Sequence, residues 1–193
     1  MIKKIERRIK KVLALLGIKK PYPSETSKVR HLVITYSKGY GCDIGFGGDK
    51  IVKENCVGID YEKPYAYTGK DKVDIACDLV NEKIPLNDSL YDYVYSSHLI
   101  EDFVDTISVL REFIRILKPG GNLILVFPDQ QEYEQVCIKN NQPINVHHVH
   151  KNMSMNFMLD KINEIKEISY EKIFSSNCEI DYNVILVLKI KKN

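Results

Sequence analysis

Nothing in this chain has the length of a membrane span: the longest uninterrupted apolar run, Val184 to Leu188, falls far short of the ~18 residues a crossing helix needs. A disulfide framework is also missing. The five cysteines, Cys42, Cys56, Cys77, Cys137 and Cys178, are odd in number, scattered, and mostly set in apolar strand-like runs. This excludes a stapled scaffold and a zinc motif with regular spacing, and it fits reduced, buried thiols in a cytoplasmic protein. Internal repeats and low-complexity tracts are absent as well.

Excess charge of either sign is lacking overall, because 28 Lys and Arg oppose 26 Asp and Glu for a net +2. The balance hides an asymmetry. Residues 1–20 carry eight cations (Lys3, Lys4, Arg7, Arg8, Lys10, Lys11, Lys19, Lys20) against Glu6, leaving 20 against 25, or −5, for the rest. In that arm Ile2, Ile5, Ile9, Val12, Leu13 and Leu16 recur at three- and four-residue steps, with the lysines on the opposite face. The pattern predicts a basic amphipathic helix over residues 1–20, stopped by Gly17, Pro21 and Pro23. Packing of the stripe on the domain with solvated lysines is favoured over a membrane-surface or nucleic-acid contact. A signal peptide is not expected, since no small-residue cleavage site follows an uncharged apolar core.

What is present suits one well-cored domain: 193 residues, 44% of them hydrophobic and 28% charged. Residues 21–38 read as linker and lead-in, from the Pro, Ser, Thr and Lys of Pro21 to Arg30, and residues 39–193 as the domain. Strands are expected near Gly41 to Ile44, Val57 to Asp60, Val73 to Asp78, Tyr91 to Tyr95 and Leu123 to Phe127, and then at Ile168 to Phe174 and Tyr182 to Ile190. Helices are expected from an Asp105 cap to Leu117 and from a Ser154 cap to about Lys166. Between Gly48 and Val57 only two helical turns fit, and Gln130 to Lys151 reads as polar, aromatic and histidine-rich. The sum is an α/β fold: a doubly wound, mostly parallel, seven-stranded or reduced Rossmann-like sheet with an antiparallel C-terminal strand.

The stretch Gly39 to Tyr61, GYGCDIGFGGDKIVKENCVGIDY, organises the rest. Two apolar approaches end in Asp43-Ile44-Gly45-Phe46-Gly47-Gly48 and in Asp60. Glycines let the backbone turn close to a ligand, and a carboxylate at the end of the second strand is placed for a ribose. The dinucleotide fingerprint fails twice: its third glycine would fall on Lys50, and Asp60 comes too early. A nucleoside-type cofactor other than NAD is the reading that remains.

DIGFGG, VGIDY, IACDL with IPLNDSLYDYVYSSHLIED, and REFIRILKPGGNLILVFPD follow one another in order and spacing. In these motifs the chain resembles the class I S-adenosylmethionine-dependent methyltransferases, in particular the small type 11 methyltransferase-domain proteins, from about Gly41 to Asp129. The resemblance implies S-adenosylmethionine as cofactor. Asp43 would then lie near the methionine ammonium, Gly45, Phe46 and Gly47 along the cofactor, and Asp60 with Tyr61 at the ribose. Asp78 and Leu79 would meet the adenine, and Ser96 would lie near the sulfonium. Asp49-Lys50 and a stub stand where relatives have a small residue and a full helix. The Asp/Asn-Pro-Pro-Tyr signature of base amino methylation is absent, and the fourth strand exits as YSSHL.

The implied reaction is in-line methyl transfer to an O or N atom of a small polar metabolite. His98, His148 and His150 are the candidate general bases, each weighed against a structural role. Glu101 and Asp102 read as helix N-terminal charges. Metal binding is not expected, because the clustered histidines lack an evident carboxylate partner. The alternatives are a nucleic-acid or protein methyltransferase docked by the basic helix, and a non-catalytic cofactor-binding relative.

Overall fold

The computed structural model of the chain describes residues 23–64 and 68–193. The expected helix over residues 1–20 lies outside them.

The first described element corrects the expected linker. Ser24, directly after Pro23, accepts a hydrogen bond from Ser27 N (2.9 Å) and caps helix α1, Glu25–Val33. Glu25 in the first turn and Arg30 and His31 in the last suit the helix dipole. Thr26, Val29 and Val33 form its buried stripe. A 3-10 turn, Ile34–Tyr36, follows where a short strand or lead-in was expected.

Seven strands then build one sheet in the order β3-β2-β1-β4-β5-β7-β6. They are β1 Gly41–Ile44, β2 Cys56–Asp60, β3 Ile75–Ala76, β4 Tyr91–Ser97, β5 Leu117–Pro128, β6 Ile168–Ile180 and β7 Asn183–Lys192. β1 to β5 run parallel, and β7 lies antiparallel between β5 and β6. The expected mixed sheet with an antiparallel C-terminal strand is therefore observed. β5 begins earlier than its apolar run, because Leu117 already pairs with Tyr91 and the register shifts across the Lys118 to Gly121 turn. β6 extends to Ile180 through two irregularities.

Helices α2 (Thr106–Ile116), α3 (Gln130–Lys139) and α4 (Met155–Asn163) complete the chain. Asp105 caps α2 and Ser154 caps α4, as expected from sequence, although α4 ends before Lys166. α3 was not anticipated. It starts on Asp129, which accepts from Gln131 N and Glu132 N.

Strand alternation divides the core in two. On one face Leu123, Leu125, Phe127, Leu186 and Leu188 pack with Leu110 and Phe113 of α2 and Met158 and Ile162 of α4. On the other, Ile124, Val126, Ile185 and Val187 join Tyr93, Tyr95 and the α1 residues Val29 and Val33. The β1–β2 connection, residues 45–55, contains no helix. The C-terminal ends of β1, β2, β3 and β4 are thereby left facing one cleft.

Candidate active site

The cleft encloses about 500 Å³, open solvent at its mouth included. Gly45, Gly47 and Ile59 form its floor, Asp60, Tyr61 and Pro64 one side, and Cys77 and Leu79 a second. His98, Leu99 and Phe103 close the third. This is the sheet edge at which open α/β folds hold their ligands.

Each wall follows from local structure. Gly45 turns out of β1 with φ +71°, and a Cβ there would lie 2.8 Å from the Leu99 side chain, so only glycine lets the strand end bend this close to β4's exit. Gly47 N donates to Asp60 Oδ2 (3.0 Å), and Tyr61 N donates to Asp60 Oδ1 (2.8 Å). Burial raises the Asp60 pKa against these two bonds. One lone pair on each oxygen is thus taken by backbone, and a further one on each remains for two adjacent hydroxyls.

Not every residue expected at the cofactor lines the cleft. Asp43 is fully buried, and its Oδ2 accepts from Ile51 N at 2.7 Å, so the carboxylate holds the returning loop from behind. Burial pushes its pKa well above the carboxylate range. Phe46 is buried beneath the loop, against Gly58. Ser96 donates to the Ile44 carbonyl (3.0 Å) and joins β4 to β1. Asp78 is half-buried at the cleft's edge, between the lining residues Cys77 and Leu79. Bonds from Asn81 Nδ2 (2.9 Å), Val80 N (3.0 Å) and Tyr61 OH (3.2 Å) hold its pKa down.

The missing β1–β2 helix is replaced by ion pairs. Asp49 takes Arg30 of α1 (2.7 Å) and Lys53 (3.3 Å), and Ser24 Oγ also donates to it. Lys50 reaches Asp74, and Lys53 reaches Asp71. Lys50, which breaks the dinucleotide fingerprint, therefore pins the loop. The sequence carried no signal for this, since the partners come from α1 and from the β2–β3 connection.

The three histidines separate. Only His98 lines the cleft; it sits at φ +51° just past β4, with its side chain 15% exposed. His148 is buried behind it, with Nδ1 2.9 Å from Gln130 Oε1 and its ring against Tyr133. His150 Nε2 donates to the Phe103 carbonyl (2.7 Å) beside Thr106 Oγ1 and ties down the start of α2, away from the cleft. Glu101, expected as a solvated helix charge, is 1% exposed and lies between His98 and His148. No group of His, Cys, Asp and Glu among the described residues is arranged to hold a metal.

The residues present fit S-adenosylmethionine at its nucleoside end: paired acceptors on Asp60 for the ribose, Leu79 and Cys77 for an adenine face, and glycine backbone beside the sulfonium side. Asp43 Oδ2 is engaged by Ile51 N, while its buried Oδ1 has no hydrogen-bond partner among the described residues.

Comparison with known proteins agrees with this geometry. Residues 40–125 match the family model described as a methyltransferase domain. A probable S-adenosylmethionine-dependent methyltransferase of Mycolicibacterium smegmatis is 30% identical over 95 residues, which are 47% of this chain and 37% of that protein. A malonyl-[acyl-carrier protein] O-methyltransferase of Marinomonas sp. is 30% identical over 81 residues, 42% of this chain and 30% of that one. The chain thus spans about a third of the length of these curated relatives. Among solved structures, PH0226 of Pyrococcus horikoshii OT3 superposes with a TM-score of 0.63 at 16% identity, covering 90% of this chain and 93% of that one. A SAM-dependent methyltransferase of Archaeoglobus fulgidus gives 0.57 at 15%, covering 85% and 92%. At such identities the likeness is one of fold. No described helix is long and apolar enough to cross a membrane. Residues 40–125 thus match a methyltransferase-domain model, and the sheet order and cleft of the chain are similar to those of solved S-adenosylmethionine-dependent methyltransferases.

Proposed function

We propose that this protein transfers the methyl group of S-adenosylmethionine to an oxygen or nitrogen atom of a small polar metabolite. The observation that carries the reading is Asp60: a carboxylate at the end of β2, clamped by two backbone N–H groups, beside glycine backbone and opposite Leu79. When bound, the cofactor supplies an electrophilic methyl on a sulfonium. The chain's own task is then placement. Asp60 fixes the ribose, Leu79 and Cys77 flank the base, and the Gly45–Gly47 turn sets the depth of the cofactor. Holding two reactants in line is worth up to roughly 7–11 kcal/mol in favourable cases, so this reaction asks little of side chains. Tyr61 and Phe103 at the cleft, and the polar segment beyond α3, border the space left for an acceptor.

Calorimetry with S-adenosylhomocysteine tests the reading. Saturable one-to-one binding is expected, weakened at least roughly tenfold by Asp60→Ala, which removes a charged acceptor of two hydrogen bonds. Absence of binding, or binding indifferent to Asp60, contradicts it.

A further inference from the structure

Hydrogen-bond polarity around His98 decides what this side chain can do. Asn183 Nδ2 donates to Glu25 Oε2 (3.2 Å), and this fixes the amide. Its Oδ1 then faces His98 Nε2 at 2.7 Å, so Nε2 carries a proton. On the ring's other side Glu101 Oε1 lies 3.3 Å from Nδ1, and a carboxylate only accepts. Nε2 is therefore a donor, and Nδ1 faces Glu101 at ion-pair distance rather than in a hydrogen bond.

The next shell agrees. Gln130 Nε2 donates to Glu134 (2.8 Å), which turns Gln130 Oε1 toward His148 Nδ1 and places that ring's proton there. His148 Nε2, 3.7 Å from Glu101, is bare in the neutral ring. Neither oxygen of the buried Glu101 has a hydrogen-bond partner among the described residues, and the groups set against it are His98 Nδ1 at 3.3 Å and His148 Nε2 at 3.7 Å. An unmet charge at this depth would be very costly.

We propose that Glu101 and Glu25 are positioning residues that hold His98 as a doubly protonated imidazolium in the cleft wall, through carboxylates 3.3 Å from Nδ1 and 3.9 Å from Nε2. His98 thereby shapes the cofactor site as a fixed cation and does not take the acceptor's proton. The proposal rests on the methyl-transfer reading for its functional meaning only.

The other groups facing this pair belong to α1, to the β6–β7 turn, to α3 and to the segment after it. Lys28 pairs with Glu25 (2.9 Å) and Asp181 (3.3 Å). Tyr182 donates to Glu25 (2.9 Å) and turns its ring edge to His98. Tyr133 packs on both Tyr182 and His148, while Asp102 and Lys151 act on His148. Burial works to discharge His98, but Glu101 and then Glu25 outweigh it and lift its pKa to about 8. For His148, burial dominates and lowers it. A proton acceptor needs a lone pair, and His98 presents none until it deprotonates. A base would make the site more competent as the pH rises through 8; the lock makes it less so.

The test uses the full chain labelled with 15N-histidine. Two-bond 1H–15N spectra should show His98 protonated on both nitrogens at pH 7 and titrating near 8, with the pKa falling by at least about one unit in Glu101→Gln and partly restored in Glu101→Asp. Calorimetry with S-adenosylhomocysteine at pH 6.5 and 8.5 should show affinity falling severalfold in the native protein. In His98→Gln, which carries no titrating ring, this pH step should be missing. A neutral His98 at pH 7, or affinity that is flat or rises across the step, overturns the lock. If a variant fails to fold, the native titration alone still decides. A protonated His98 in a protein that binds no S-adenosylhomocysteine would sink the methyl-transfer reading and the positioning role with it, whereas binding with a neutral His98 would sink the lock alone.

Discussion

At residue scale, the acidic positions divide between those that hold the fold and those that face the cleft. Asp60 is aimed at the cleft, whereas Asp43 is spent on Ile51 N with its proton affinity raised by burial. Asp43→Asn keeps the acceptor and removes the buried charge, so it should match or exceed the native thermal stability at pH 7. Asp43→Ala leaves Ile51 N without its partner and should cost about 1–3 kcal/mol in urea unfolding. His98 carries a pH signature of its own. A pKa raised from 6.5 to about 8 on folding adds stability that is complete below pH 6.5 and lost as the pH rises through 8. Unfolding free energy should therefore drop by about 2 kcal/mol between those limits, and His98→Gln should abolish that drop. His148, lowered by burial, acts below this window, where its protonation costs stability. Several of the residues that line the cleft were legible in the sequence, because strand ends announce themselves by an acid or glycine after an apolar run. It could not show which way Asp43, Ser96 or His150 point, because orientation is set by partners distant in the chain: Ile44 for Ser96, Phe103 for His150.

Among the elements, α1 does the most that composition concealed. Its Pro-Ser-Thr start resembles a linker, and yet the same Ser24 is a helix cap, and nine residues suffice once Val29 and Val33 are buried. The helix braces the cleft at two points: Ser24 and Arg30 hold Asp49 of the β1–β2 loop, and Glu25 reaches the His98 pair. Arg30→Ala should weaken S-adenosylhomocysteine binding by about 1 kcal/mol, roughly fivefold, read by calorimetry. Unchanged affinity would mean that Lys53 and Ser24 hold the loop alone. The buried strands were legible because apolar runs bounded by turns have few other readings, as Leu123 to Phe127 shows. α3 was not, since QQEYEQVCIK buries only Gln130 and Cys137 and has almost no apolar stripe.

For the whole molecule, a seven-stranded sheet with β7 reversed between β5 and β6 gathers four strand ends at one cleft, while the usual helix after β1 is replaced by a loop held by charges from α1 and the β2–β3 connection. A mostly parallel sheet with an antiparallel C-terminal strand was foreseeable from the strand pattern; the substitution of ion pairs for a helix was not, because it joins segments far apart in sequence. The central claim is that this cleft holds the cofactor with its ribose on Asp60. A crystal structure of the chain grown with S-adenosylhomocysteine tests it most directly. Density is expected over the Gly45–Gly47 turn, with both ribose hydroxyls on the Asp60 carboxylate and the adenine beside Leu79. A ligand bound elsewhere, or a cleft with no ligand at saturating concentration, would contradict it.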